Sequence, residues 1–208
     1  MNFFGHAVVA GWRDNRAQHL LGSMLPDFAT MARVPLLEVR DPDIQRGIDL
    51  HHQTDEAFHR APAFLAFCAR SLEELTGAGV RRGTARAVAH IGSEMFLDGW
   101  LTRDQAHIDG YLTALDLDVD DLLGWEDGGH AFSKLHARLT QWGAPCDYVE
   151  PSFVLARLAD ALRPHPALAV LEDQMAQVEE FLPSLQRLVE RDALELLNEL
   201  QDALGSKD

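Results

Sequence analysis

Apolar residues recur three and four positions apart along almost the whole of this 208-residue chain, and no convincing run alternates apolar and polar residues as a half-buried strand does. That regularity restricts the chain to packed helices, so the expected class is all-α. Caps and breakers divide the pattern. A short helix is expected over 3–12. A second follows over 15–32, with Asp14 as its N-cap and Pro26 kinking or ending it locally. Residues 34–40 read as a linker. Asp41-Pro42, a cap followed by proline at the first helical position, opens a helix to about His59. Further helices are expected over 62–75, from 80 or 84 to 101, and over 103–115, 130–142, 152–162, 166–180 and 183–204. The acidic, Gly-containing stretch 116–129 reads as a loop, the last two helices as a packed pair, and the tail 205–208 as frayed.

Size and composition narrow the class further. Hydrophobic residues make up 47% of the chain, enough for one sizeable core and a single domain over 1–208. No stretch approaches the roughly 20 apolar residues of a membrane span. The apolar start lacks a basic segment and is interrupted by His6, which gives no signal peptide, so the expected compartment is the cytoplasm. Cys68 and Cys146 form no CxxC pair, which argues against a disulfide framework or a cysteine zinc site. The net charge of −15 argues against nucleic acid as a partner, because phosphate binding needs Lys and Arg to release counterions.

Chemistry concentrates in the first half. His51, Asp55 and His59 stand at i, i+4, i+8 and share a helix face; His90, Glu94 and Asp98 repeat that spacing on a helix rich in apolar residues. Imidazole and carboxylate on one face are what a divalent ion needs. Three ionisable groups on a buried helix are costly unless something pairs them, and an ion would do so. His52, about 100 degrees around the helix, is a candidate substrate contact, as is His59. His6 and Asp27, which follows Pro26, complete the set. A single His–carboxylate pair at this spacing is ordinarily a structural hydrogen bond, and His6 by itself reads as a core histidine. Two such pairs plus Asp27 favour the metal reading. Arg81, Arg82 and Arg86 form the only basic concentration; Arg81 and Arg86 are candidates to hold a phosphate, against the alternative of a solvated helix face. Serine nucleophile motifs, P-loops and dinucleotide fingerprints are absent.

The motifs Met1-Asn-Phe-Phe-Gly-His6, Gly22-Ser-Met-Leu-Pro-Asp27-Phe28, Gly47-Ile-Asp-Leu-His51-His52-Gln-Thr-Asp55 and Glu94-Met-Phe-Leu97 occur in this order. In order and spacing they resemble the acyl carrier protein phosphodiesterase family over about residues 1–101. The resemblance implies an all-helical fold related to the HD-type metal-dependent phosphohydrolases. It also implies hydrolytic release of 4′-phosphopantetheine from holo acyl carrier protein with a divalent ion. It carries over His6, Asp27, His51 and Asp55, and Glu94 in place of an aspartate. His59 stands where the family commonly has aspartate, and His90 and Asp98 have no clear family counterpart. The His90–Glu94 pair is also similar to the His-x-x-x-Glu pairs of zinc-dependent phospholipase C.

The expected chemistry is metal-assisted phosphodiester hydrolysis. One or two divalent ions, Mn2+, Mg2+ or Zn2+, are held by Asp27, His51, Asp55, His90 and Glu94, with His6, Asp27 or Asp98 in acid–base or catalytic roles. Alternatives are a hydrolase of a small phosphorylated metabolite and a non-catalytic helical binding or scaffold protein whose polar cluster is structural.

Overall fold

The computed structural model describes residues 1–205. It is almost entirely helical: α1 (Phe3–Gly11), α2 (Ala17–Ala32), α3 (Pro42–Arg60), α4 (Pro62–Gly77), α5 (Arg82–Leu101), α6 (Gln105–Leu115), α7 (His130–Trp142), α8 (Pro151–Leu162) and α9 (Met175–Leu204). Two strands, β1 (Leu36–Val39) and β2 (Leu123–Trp125), pair antiparallel, and short 3-10 turns cover Cys146–Val149 and Glu172–Gln174. The all-α class therefore holds. Ser206, Lys207 and Asp208 of the tail lie outside the described residues.

The described residues divide into two compact units, one of residues 1–56 and 101–145, the other of residues 57–100 and 146–205. In the first, α1 packs on α2 and α6, and α2 also meets α6 and α7. Phe4, Met24, Leu25, Phe28 and Tyr111 are fully buried there, with Phe3 stacked on Tyr111 at 6.0 Å. In the second unit α9 packs on α4 and α8. Leu182, Leu185, Val189, Leu196 and Leu200 line its buried face, and Glu199 caps the start of α4 by accepting from the Ala63 amide at 3.0 Å.

Several local expectations need correction. Asp14 does not cap α2 directly: the helix begins at Ala17, and Asp14 instead accepts from the Arg16 amide at 3.0 Å. Helix α2 runs to Ala32 as expected, so Pro26 does not end it. Residues 166–174 are not helical beyond a 3-10 turn, and α9 continues straight through Pro183. An interior proline costs about 3 kcal/mol in a helix. Leu25 and Phe28 around Pro26, and Leu182 and Leu185 around Pro183, are all fully buried. In each helix the burial of two large side chains, at about 1.5–3 kcal/mol each, at least matches that cost. The linker and the acidic loop each contribute a strand, in register Leu36↔Trp125 and Val39↔Leu123.

One close approach positions the chemistry. A Cβ on Gly22 would lie 2.1 Å from the Ile44 carbonyl oxygen, and one on Gly47 would lie 2.2 Å from that of His19. Helices α2 and the first half of α3 therefore cross backbone to backbone, which only glycine permits at both positions. Asp41 starts α3 at this crossing by accepting from the Asp43 and Ile44 amides at 2.7 and 3.1 Å.

Candidate metal-binding clusters

The candidate residues fall into one cluster in each unit. In the first unit His6, Asp27 and His51 bring one ligand atom each within 4.8 Å of one another. Asp27 follows Ser23 by one turn on α2, and His51 follows Gly47 by one turn on α3, so the glycine crossing delivers both. His6 comes from α1, and its ring stacks on that of His51 at 3.9 Å between centroids. His51 Nδ1 donates to the Ser23 carbonyl at 2.8 Å, which leaves the Nε2 lone pair as the ring's ligand atom. Burial pushes the His51 pKa down, against the Ser23 bond and the charge of Asp55, and so favours the neutral form that binds a metal. Asp55 borders the cluster: its Oδ1 is 3.9 Å from His6 Nε2 and 3.1 Å from the Met1 amino group. His52 is exposed, edge-on to His51 at 5.3 Å.

In the second unit His59, Glu94 and His90 form the other cluster, again within 4.8 Å. His90 and Glu94 sit one turn apart on α5, with Nε2 to Oε1 at 3.1 Å, and His59 Nε2 is 3.7 Å from the same oxygen. The Glu94 carboxyl, which burial alone would raise, is held well below the usual range, with the hydrogen bonds of His59 and His90 among the causes. From the sequence alone His59 reads as a substrate contact. The i, i+8 relation to His51 was visible, but nothing local joins it to residues 31 and 35 positions further on.

The remaining candidates have other surroundings. Asp98 is fully buried, and its charge helps burial to push the Tyr148 phenol up in pKa, with Arg157 opposing. The guanidinium of Arg81 donates to the carbonyls of Ala169 and Pro166 at 2.9 and 3.3 Å and to the Thr84 hydroxyl at 3.3 Å. Arg86 is exposed on α5, and its charge is felt by the half-buried Cys68 thiol.

No helix among the described residues is long and apolar enough to cross a membrane. No curated protein and no solved structure matches the chain. The family model described as acyl carrier protein phosphodiesterase matches residues 1–110, a stretch that contains every member of both clusters. That family is one of hydrolases, named for cleaving a phosphodiester on acyl carrier protein. On this match over more than half its length, the chain belongs to the acyl carrier protein phosphodiesterase family.

Proposed function

We propose that the chain is a cytoplasmic, metal-dependent phosphodiesterase that releases 4′-phosphopantetheine from holo acyl carrier protein, with its phosphoryl site at His6, Asp27 and His51. The observation that carries the reading is the His2Asp donor set itself, gathered within 4.8 Å from three helices of the family-matched region. Two imidazoles and a carboxylate fit a hydrolytic metal centre that keeps positions open for water and substrate. The anchored Nδ1 of His51 supports this fit, since a metal-binding histidine ordinarily has its other nitrogen fixed by a hydrogen bond.

A divalent ion bound there, Mn2+, Mg2+ or Zn2+, would acidify a water and polarise the phosphoryl oxygen. The chain's own residues do the rest. Asp27 supplies the anionic donor, and His51 is kept neutral by burial and oriented by Ser23. His6, buried against His51, suits a donor role. Asp55 has a side chain 42% exposed beside His6, which suits it to take the proton of an attacking water. The net charge of −15 favours one second reading, a small phosphorylated metabolite as substrate, because an acidic carrier protein is repelled on approach.

The test is to incubate the protein with holo acyl carrier protein and Mn2+ and follow the carrier by mass spectrometry. Loss of the phosphopantetheine mass supports the reading. An intact carrier under conditions where a small phosphodiester is cleaved transfers the proposal to the second substrate class.

A further inference from the structure

The second cluster raises a question of proton accounting. His59 Nε2, His90 Nε2 and Glu94 Oε1 form a triangle with edges of 3.1 Å between the two nitrogens, 3.1 Å from His90 to the oxygen and 3.7 Å from His59 to the oxygen. Each ring nitrogen carries either one proton or one lone pair, directed along one line in the ring plane. Protons can serve at most two edges of such a triangle. If both nitrogens donate to Glu94, they oppose each other at 3.1 Å; if one donates to the other, it no longer donates to the carboxylate. One cation at the centre accepts all three lone pairs at once.

The dimensions agree with a cation. In a tetrahedral site with bonds of about 2.0–2.1 Å, donor atoms stand about 3.3–3.4 Å apart, and the three edges bracket that value. The rings are also held in place. They stack on each other at 4.9 Å, and Phe64 meets both edge-on, His59 at 5.5 Å and His90 at 5.1 Å. Side-chain exposures of 34% for His59 and 41% for His90 leave a side open to water.

We propose that His59, His90 and Glu94 form a metal site of their own in the second unit, binding one late first-row divalent ion, Zn2+ foremost, with water in the fourth position. Two imidazole nitrogens and one carboxylate select Zn2+ or Co2+ over Mg2+, which prefers an all-oxygen shell. The proposal does not depend on the phosphodiesterase reading, since it stands on the geometry of these three residues.

The experiment is a Zn2+ titration of the metal-free full chain at pH 7.5, in competition with a chromophoric chelator and with Mg2+ in excess. It uses the wild type, Asp27→Asn, and Asp27→Asn combined with His59→Asn and His90→Asn. The Asp27→Asn protein retains one tight Zn2+, and the triple variant loses it, with an affinity drop of about 100-fold or more. Equal tight binding by the two variants overturns the proposal. If the triple variant does not fold by circular dichroism, zinc-soaked wild-type crystals decide. An anomalous peak bonded to both Nε2 atoms supports the site, and a peak missing there overturns it. Loss of metal dependence in the phosphodiesterase assay with the Zn2+ stoichiometry unchanged would sink only the proposed function.

Discussion

The Nδ1–H of His51 donates to the backbone carbonyl of Ser23 across 2.8 Å. Ser23 adjoins Gly22, whose missing side chain lets α3 approach, and its hydroxyl turns back to the Leu20 carbonyl at 2.7 Å. The glycine pair, the carbonyl and the imidazole therefore form one chain of causes. Backbone contact at Gly22 and Gly47 brings the carbonyl within reach, the carbonyl fixes the tautomer, and the tautomer leaves Nε2 to bind.

Gly22→Ala breaks that chain at its start. Its Cβ would lie 2.1 Å from a backbone oxygen that no rotamer can move. The expected loss of stability is about 3 kcal/mol, at the upper end for overpacking, accompanied by weaker metal binding at His51. Gly77→Ala, where nothing lies within 4 Å of the added Cβ, is the control and changes stability by no more than about 1 kcal/mol. Urea denaturation of both variants measures the contrast; equal stabilities would refute the crossing as described.

Asp27→Asn separates a metal ligand from a structural carboxylate. It preserves shape and hydrogen bonding while removing charge. The expected outcome is a folded protein with metal affinity and turnover reduced together, by about 100-fold or more. Full activity in well-folded Asp27→Asn protein would remove this residue from the site.

Arg81 is engaged by the carbonyls of Pro166 and Ala169. Arg81→Met is expected to lower stability by about 1 kcal/mol, as the exposed Pro166 and part-buried Ala169 carbonyls lose a hydrogen bond, and to leave KM unchanged. A raised KM at unchanged stability would return Arg81 to a phosphate-holding role.

His19 makes stability sensitive to acid. It is buried in the first unit, and neither ring nitrogen has a hydrogen-bond partner among the described residues. Burial lowers its pKa from 6.5, with Arg46, Arg16 and Arg13 adding to that and Asp14 opposing. A base whose folded pKa is depressed binds more protons when unfolded. Its contribution is therefore complete above pH 6.5 and lost as pH falls through the folded value. Melting temperature should fall below pH 6.5 in the wild type, and His19→Leu should flatten that limb. An unchanged pH profile in His19→Leu would exclude His19 as the cause.

Legibility in the sequence followed the range of the interaction that decides each feature. Helix α7 begins and ends at the residues expected, and α3 opens at Asp41-Pro42, because caps and breakers act within a turn. The β1–β2 pair escaped notice because strands of four and three residues, 84 positions apart at their ends, leave no local pattern. Helices α2 and α9 overrode their prolines through burial on both flanks, which depends on other elements. The His90–Glu94 pair was legible as a one-turn spacing, whereas the convergence of His59 on it and the stacking of His6 on His51 depend on tertiary packing. Gly22 and Gly47 were visible inside the motifs, but a glycine in a helical pattern does not announce what it touches.

The most direct measurement of the central claim is hydrolysis of bis-p-nitrophenyl phosphate by protein stripped with chelator and then resupplied with Mn2+, Mg2+ or Zn2+. The account predicts loss of turnover on stripping and its return with at least one ion, with Asp27→Asn failing to recover. Undiminished hydrolysis by the metal-free protein would contradict a metal-dependent site at His6, Asp27 and His51.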